Sequence, residues 1–287
     1  PDYALIDGNK IPQHLLCPAT AVVKGDRKCV SIAAASIKLL NYADIDPLVL
    51  DMNVFKCSGH DQLWQGNLEV FDALKEHNMR RLKESGIKII TCSCAECYRT
   101  FAVDYDLPGK LGIKVEHITQ TLQGRGLKFK SPENVTVSYH DPCRLGRMMG
   151  EYEAPRDLIQ LVDGATMVEL ENNKERALCC GVSSMMYCND ATKAVRRKRL
   201  DQGTDAGIDI MLGGCPKCYM HMQCMLNEER MNPEEGHHHD YEMMDLMQFL
   251  VTCLEAVSYT HLRAHETRED RVWPGGGEKK KGGGGGG

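Results

Sequence analysis

The sequence predicts an α/β protein built from two pseudo-symmetric, cysteine-rich units with mostly parallel sheets. Three observations carry that prediction. Cysteines recur at matching intervals: 17, 57, 94 and 97 are spaced by 40, 37 and 3 residues, and 143, 180, 215 and 218 by 37, 35 and 3. Such a repeat marks two copies of one supersecondary unit. Strand-like and helix-like segments alternate in the same order in both halves, and this alternation implies parallel strands joined by right-handed crossovers. Each half also runs a short strand directly into a Cys-x-x-Cys turn, and ligand loops of parallel sheets lie at the carboxyl ends of the strands.

The elements follow in order. Ile32, Ala35, Ser36, Leu39 and Leu40 keep a helical period, Pro47 to Met52 has strand character, and Leu68 to Gly86 is an amphipathic helix stopped by Ser-Gly. Lys88 to Thr91 is a strand that enters Cys92-Ser-Cys94-Ala-Glu-Cys97. In the second half, Pro155 to Val162 is expected as helix, Met167 to Leu170 as strand and Ala191 to Gly203 as a basic helix. Ile208 to Leu212 is then a strand entering Gly213-Gly214-Cys215-Pro-Lys-Cys218. Cys57, Cys94, the pair Cys179-Cys180 and Cys215 all fall at strand ends, so they are expected to converge at one end of each unit. The units are assigned to residues 1–130 and 131–257. From 258 the chain loses apolar periodicity, ends in glycine and lysine runs and resembles translated adaptor sequence, so 258–287 is expected to be a non-native, disordered tail. The chain starts at Pro1, which leaves room for an upstream segment.

Composition narrows the function. The net charge is -5 and no basic stripe is present, which excludes nucleic acid as the main partner. No apolar run reaches the roughly 20 residues that span a bilayer. The chain carries 14 cysteines in 287 residues, below the ~8–10% of a disulfide scaffold, so metal ligation or redox chemistry is favoured. Sulfur ligands select zinc or iron–sulfur clusters over hard cations. The adjacent Cys179 and Cys180 point in divergent directions and suit a centre with several metal atoms better than one tetrahedral ion.

Cys143, Cys179-Cys180-Gly181 and Cys215-Pro216-x-Cys218 resemble the CCG-type cysteine-rich domain, which occurs in tandem in the catalytic subunit of heterodisulfide reductase and in related iron–sulfur subunits. The resemblance extends to Tyr139–Arg147, Ala154–Arg156 and the first-half segments CSGHDQLW and CAECYRTF, and covers roughly residues 15 to 225. It implies an oxidoreductase whose non-cubane [4Fe-4S] cluster is held by Cys143, Cys179, Cys180, Cys215 and Cys218 and cleaves a disulfide in one-electron steps. In the first half, Lys56-Cys57 falls where the double cysteine is expected. That leaves Cys17, Cys57, Cys94 and Cys97, a set that suits a [4Fe-4S] cubane or a zinc ion. Electrons would arrive from a ferredoxin-like, flavoprotein or membrane cytochrome subunit, and the chain would be cytoplasmic, with any membrane association made through that partner. A second implication is a non-catalytic electron-transfer subunit of a glycolate- or lactate-oxidising dehydrogenase complex.

Arg144 and Arg147 flank Cys143 and are candidates for binding a substrate carboxylate or phosphate, with surface placement in a loop the plainer alternative. His140 and Asp141 are expected to orient the Cys143 loop. Cys92 is expected as a packed strand-end thiol, and Cys29, Cys188, Cys224 and Cys253 as ordinary thiols. The run Lys193, Arg196, Arg197, Lys198 and Arg199 is expected to form a solvated helix face, and His237-His238-His239 a solvated loop. Met220–Met225 and Met243–Met247 suit helix cores or a partner-binding face.

Overall fold

The computed structural model describes residues 4–7, 19–22, 27–47, 49, 55–181, 189–232 and 239–254. Cys17, Cys188, most of the Pro47–Met52 segment, His237, His238 and the 258–287 tail therefore lie outside the described residues, as does the Cys29 side chain. Two short parallel pairs come first in the chain: β1 (Ala4–Asp7) with β2 (Ala19–Val22), and β3 (Ile89–Cys92) with β4 (Lys114–His117). A four-stranded sheet follows in the order β6 (Val162–Met167), β5 (Phe129–His140), β7 (Ile210–Gly213), β8 (Glu242–Asp245), again with every pairing parallel. The α/β class and the parallel sheets are as the sequence predicts.

Helix α1 (Arg27–Tyr42) buries Ile32, Ala35, Ser36, Leu39 and Leu40, the positions of its apolar period. After the short α2 (His60–Trp64), α3 (Leu68–Ser85) buries Phe71, Asn78 and Leu82 on one stripe and stops at Gly86, whose φ of 66° is the left-handed cap a glycine permits. Short helices α4 (Ala95–Arg99), α5 (Leu107–Leu111) and α6 (Ile118–Leu122) complete the first half. In the second half, α7 (Gly146–Met149) and α8 (Glu153–Gln160) precede β6, and α9 (Asp190–Asp205), α10 (Pro216–Met231) and α11 (Leu246–Thr252) flank the last strands.

Two boundaries differ from the sequence expectation. Helix α8 begins at Glu153, two residues before Pro155, because the first turn of a helix has no N–H partners to lose and proline is tolerated there. The strand expected at Met167 to Leu170 occupies Val162–Met167 instead, where Val162 pairs with Phe129 and Met167 with Val137. Strand β5 itself went unmarked in the sequence, because Ser131-Pro-Glu-Asn134 has turn composition; a register shift between Lys130 and Val135 absorbs it.

The two apolar cores are each shared by both halves. Leu39 and Leu40 of α1 and Leu122 of α6 pack with Val137, Leu158, Leu246 and Leu250. Phe71, Leu82, Tyr98 and Phe101 join Leu200, Met211, Met222 and Met243 in the other. Leu39, Leu246 and Leu250 are fully buried, worth about 1.5–3 kcal/mol each. The Met220–Met225 and Met243–Met247 segments thus supply core: Met222, Met225, Met243 and Met247 are all buried.

The duplication is visible in the strands. β3 leads through Ser93 into Cys94 and α4, as β7 leads through Gly214 into Cys215 and α10. β4 ends in His117, which caps α6, as β8 ends in Asp245, which caps α11. The registers agree: Cys92 pairs with His117 and Gly213 with Asp245.

Candidate metal centre

Three loops at the carboxyl ends of the strands bring the second-half cysteines together. Cys143 follows β5 through Asp141-Pro142, Cys179 and Cys180 follow the turn after β6, and Cys215 caps the N-terminus of α10 with Cys218 in its first turn. All five line one cavity, together with Pro142, Arg144, Glu96 and Lys217. Every described cysteine is a free thiol, so none of these sulfurs is withdrawn into a disulfide. The first turn of α10 points its N–H groups and positive dipole end at the same place, which favours an anionic centre.

The Cys180 and Cys218 sulfurs and a ring nitrogen of His140 lie within 4.8 Å of one another. Hydrogen bonds from Cys179 and Cys218, with one from His140, hold the Cys180 thiol well below its usual pKa. Its neighbours carry the protons: the hydrogen bond to Cys180 raises Cys179 and Cys218, and burial raises Cys143. Metal ligation needs thiolates, and one is already favoured here. Five convergent free thiols fit a sulfur-ligated cluster.

In the first half, Cys94 caps α4 and Cys97 lies in its first turn. The Gly59 N–H donates to Cys57 Sγ at 3.5 Å, as the Gly181 N–H donates to Cys179 Sγ at 3.3 Å, and both glycines are left-handed, with φ of 76° and 78°. The matching triplets are therefore Cys57-Ser58-Gly59 and Cys179-Cys180-Gly181. This corrects the sequence alignment: Cys57 corresponds to Cys179, and the residue that replaces the second cysteine is Ser58, not Lys56. Ser58 Oγ lies 3.4 Å from Cys97 Sγ, and in the other copy the Cys180 and Cys218 sulfurs lie within 4.8 Å of each other.

The two cysteine sets meet rather than standing at separate ends. Hydrogen bonds from Cys215 and Cys97 hold Cys94 well below the usual thiol range. Around this contact the second variable residue of each Cys-x-x-Cys turn forms an ion pair: Lys217 Nζ is 2.5 Å from Glu96 Oε2 and 2.5 Å from Asp61 Oδ1. His60, Asp61 and Glu96 would otherwise make a cation site, and the ammonium of Lys217 already supplies the positive charge.

Arg144 is buried at the cavity edge, its guanidinium 3.6 Å from the Trp64 ring centroid and its Nη1 on Met148 Sδ, with Nε unpartnered. Arg147 points elsewhere, donating to the carbonyls of Glu175 and Ala177 ahead of the double cysteine. Asp141 is held by both ends of the Arg156 guanidinium and accepts the Lys174 N–H, which fixes the loop on which Cys143 sits. His140 accepts at Nδ1 from Arg199, and burial lowers its pKa.

Several expectations change. The basic run is only in part a solvated face: Lys198 is exposed and Lys193 and Arg197 partly so, but Arg196 and Arg199 are almost fully buried, Arg196 on the Cys180 carbonyl and Arg199 on His140, because they are α9's inward side. His239 is buried between Glu229 and Asp201. Others hold: Cys92 is the packed strand-end thiol expected, its pKa raised by burial, and Cys224 (exposed) and Cys253 (buried) are free thiols. Sequence reasoning missed Trp64, Ser58, His117 and the Glu96–Lys217 pair. The last was available from the repeat, since both occupy one position of the duplicated turn.

The cysteine-rich domain family CCG matches residues 17–102 and 137–223. The chain is 32% identical over 200 residues to a subunit of the dihydromethanophenazine:CoB–CoM heterodisulfide reductase of Methanosarcina barkeri, covering 66% of this chain and 49% of that protein. It is 30% identical over 229 residues to the corresponding subunit in Methanosarcina acetivorans, covering 76% and 54%. It is also 27% identical over 198 residues to a probable iron-sulfur-binding oxidoreductase, FadF, of Bacillus subtilis, covering 67% and 28%. The chain thus spans about half the length of the heterodisulfide reductase subunits it matches. No helix among the described residues is long and apolar enough to cross a membrane. With two matched domains, a duplicated strand-to-cysteine plan and the convergent thiols, this chain belongs to the CCG cysteine-rich domain family.

Proposed function

We propose that this chain is an iron–sulfur subunit of a heterodisulfide reductase-like oxidoreductase, delivering electrons to a disulfide or comparable acceptor at a non-cubane [4Fe-4S] cluster held by Cys143, Cys179, Cys180, Cys215 and Cys218. The observation that carries the reading is the convergence of those five free thiols on one cavity. When bound, such a cluster supplies one-electron reduction next to its sulfur ligands. The protein's own part is to receive and orient the acceptor. Arg144 lines the cavity, stacked on Trp64 with Nη1 donating to Met148 Sδ, so an anionic group on the acceptor would meet a planar guanidinium that has already lost its conformational freedom. Pro142 adds an apolar wall, and the Lys217 charge beside it is balanced by Glu96 and Asp61. Arg147 bonds the backbone before Cys179 and would support the cluster loop more than the substrate.

A second reading keeps the cluster and removes the substrate: an electron-transfer module whose partner does the chemistry. The nearness of Cys215 to Cys94, felt in the lowered Cys94 pKa, favours it, because it sets the two sulfur groups side by side. Cys57, Cys94 and Cys97, with Cys17, would then hold the entry centre, as a [4Fe-4S] cluster or a structural zinc. The electron donor is proposed to be a ferredoxin-like, flavoprotein or membrane cytochrome subunit, with any membrane contact made through it.

Anaerobic purification with iron and zinc analysis, followed by paramagnetic resonance of the oxidised protein with and without a thiol, tests these readings. A thiol-dependent signal supports disulfide chemistry, a thiol-independent one supports the module, and zinc alone removes both. Cys180→Ser should abolish the second-unit signal while the first site keeps its metal; an unchanged signal would show the ligand set to be wrong.

A further inference from the structure

Behind the cavity two buried side chains act in series on one of its sulfurs. His140 closes β5 and is 1% exposed, and Arg199 on α9 is 0% exposed. Arg199 Nε–H donates to His140 Nδ1 at 3.0 Å. A guanidinium has donors only, so the bond runs in one direction and Nδ1 carries no proton. A neutral imidazole has a single N–H, which must then be on Nε2. A ring nitrogen of His140 lies within 4.8 Å of the Cys180 sulfur, and with Nδ1 committed to Arg199 the nitrogen that can offer a proton to that sulfur is Nε2. Arg199 cannot swing away to release the ring: its Nη1 donates to the Asn172 carbonyl at 2.6 Å and to Gln202 Oε1 at 2.8 Å, and Gln202 returns to Asn172 Oδ1 at 2.6 Å.

The same ring has another interpretation. Ligand atoms of His140, Cys180 and Cys218 lie within 4.8 Å of one another, a spacing that suits a metal ion bound by one nitrogen and two sulfurs. For Nε2 to coordinate a metal while Nδ1 still accepts from Arg199, the ring would have to lose both protons. Holding a doubly deprotonated imidazole in a buried site requires far more than the neutral tautomer does.

We infer that His140 is a positioning residue that donates Nε2–H to the Cys180 sulfur, locked in that tautomer by Arg199, and that this hydrogen bond raises the reduction potential of the second-unit centre. The inference rests on the iron–sulfur reading above. A donor to a ligating sulfur stabilises the more negative, reduced state, and hydrogen bonds to sulfur are one of the protein's main controls on cluster potential.

The test begins with iron analysis of the wild-type protein, where absence of iron would overturn the cluster reading and this inference with it. With iron present, His140→Leu keeps the bulk without a donor, and His140→Gln places an amide N–H at about the reach of Nε2. Both should keep wild-type iron content, with the midpoint potential of the second-unit signal shifted negative in His140→Leu and near wild type in His140→Gln. An unchanged midpoint in His140→Leu, or iron loss in both variants like that of Cys180→Ser, would overturn the inference. Wild-type protein labelled with 15N-histidine gives a measurement independent of variant folding. A weak nitrogen coupling transmitted through a hydrogen bond supports the inference; the strong coupling of a coordinated imidazole, or no coupling, overturns it.

Discussion

His117 Nε2 lies 3.1 Å from the Gly214 carbonyl, so a side chain of the first half holds the residue that precedes Cys215 of the second. A carbonyl only accepts, which makes Nε2–H the donor and leaves Nδ1 to accept from Thr119. Burial lowers the His117 pKa to about 4. His117→Leu should therefore cost about 2–4 kcal/mol by denaturant unfolding, since it strands a buried carbonyl and loosens the α6 cap. The folded state binds fewer protons than the unfolded chain between about pH 4 and 6.5. Wild-type stability should accordingly fall as pH drops through that window, and the variant should lose that part of the slope.

Asp245, the counterpart of His117, has the opposite pH behaviour. Burial raises its carboxyl to about 7 even though it caps α11 by accepting the Met247 N–H. Its folded form holds a proton that the unfolded chain releases near pH 4, so this group's contribution to stability declines as pH rises from about 4 to 7. Asp245→Asn keeps a capping oxygen and removes the charge. Urea midpoints from pH 5 to 8 should decline less in the variant, and a parallel pH profile would refute the assignment.

Lys217 joins Glu96 and Asp61 with 10% of its side chain exposed, against 15% and 36% for the carboxylates. Lys217→Met should destabilise by about 2–3 kcal/mol, below the 3–5 typical of a fully buried pair because Asp61 is partly solvated. Glu96→Gln in the same background should recover part of that loss, and a double-mutant cycle measures the coupling.

Gly181 has φ of 78°, and a Cβ there would stand 2.6 Å from the Thr192 carbonyl oxygen of α9. Gly181→Ala should cost about 2–4 kcal/mol from the left-handed backbone and the clash. Because the Gly181 N–H reaches Cys179 Sγ, the iron bound per chain should fall with stability.

Ser58 stands where Cys180 stands in the other copy, 3% exposed and 3.4 Å from Cys97 Sγ. Ser58→Cys completes a second double cysteine. The variant should gain a resonance signal resembling that of the second unit, with integrated intensity rising up to about twofold if both centres load equally. A spectrum identical to wild type would mean that this position does not face the first-half metal.

Much of the plan was legible in the sequence. The cysteine intervals and the Cys-x-x-Cys turns after Lys88–Thr91 and Ile208–Leu212 located the strand ends, and the five cysteines named by the family resemblance line one cavity. The Lys56 alignment failed because counting steps cannot tell Cys57-Ser58 from Lys56-Cys57; the left-handed Gly59 and its N–H to sulfur decide it. Arg196 and Arg199 were misplaced for a different reason. A basic run implies solvent unless a buried carbonyl and imidazole are known to face it. The contact of Cys94 with Cys215 is a tertiary relationship that no spacing within one half contains.

Glu96 and Lys217 occupy the same place in two copies of one turn, and where those copies meet they attract. Two identical copies meeting at these positions would set acid against acid or base against base there. Tethering both copies in a single polypeptide lets each diverge, so opposite signs can be written at one equivalent position. The join between the halves is thereby suited to this pairing of unlike copies and unsuited to either copy pairing with itself.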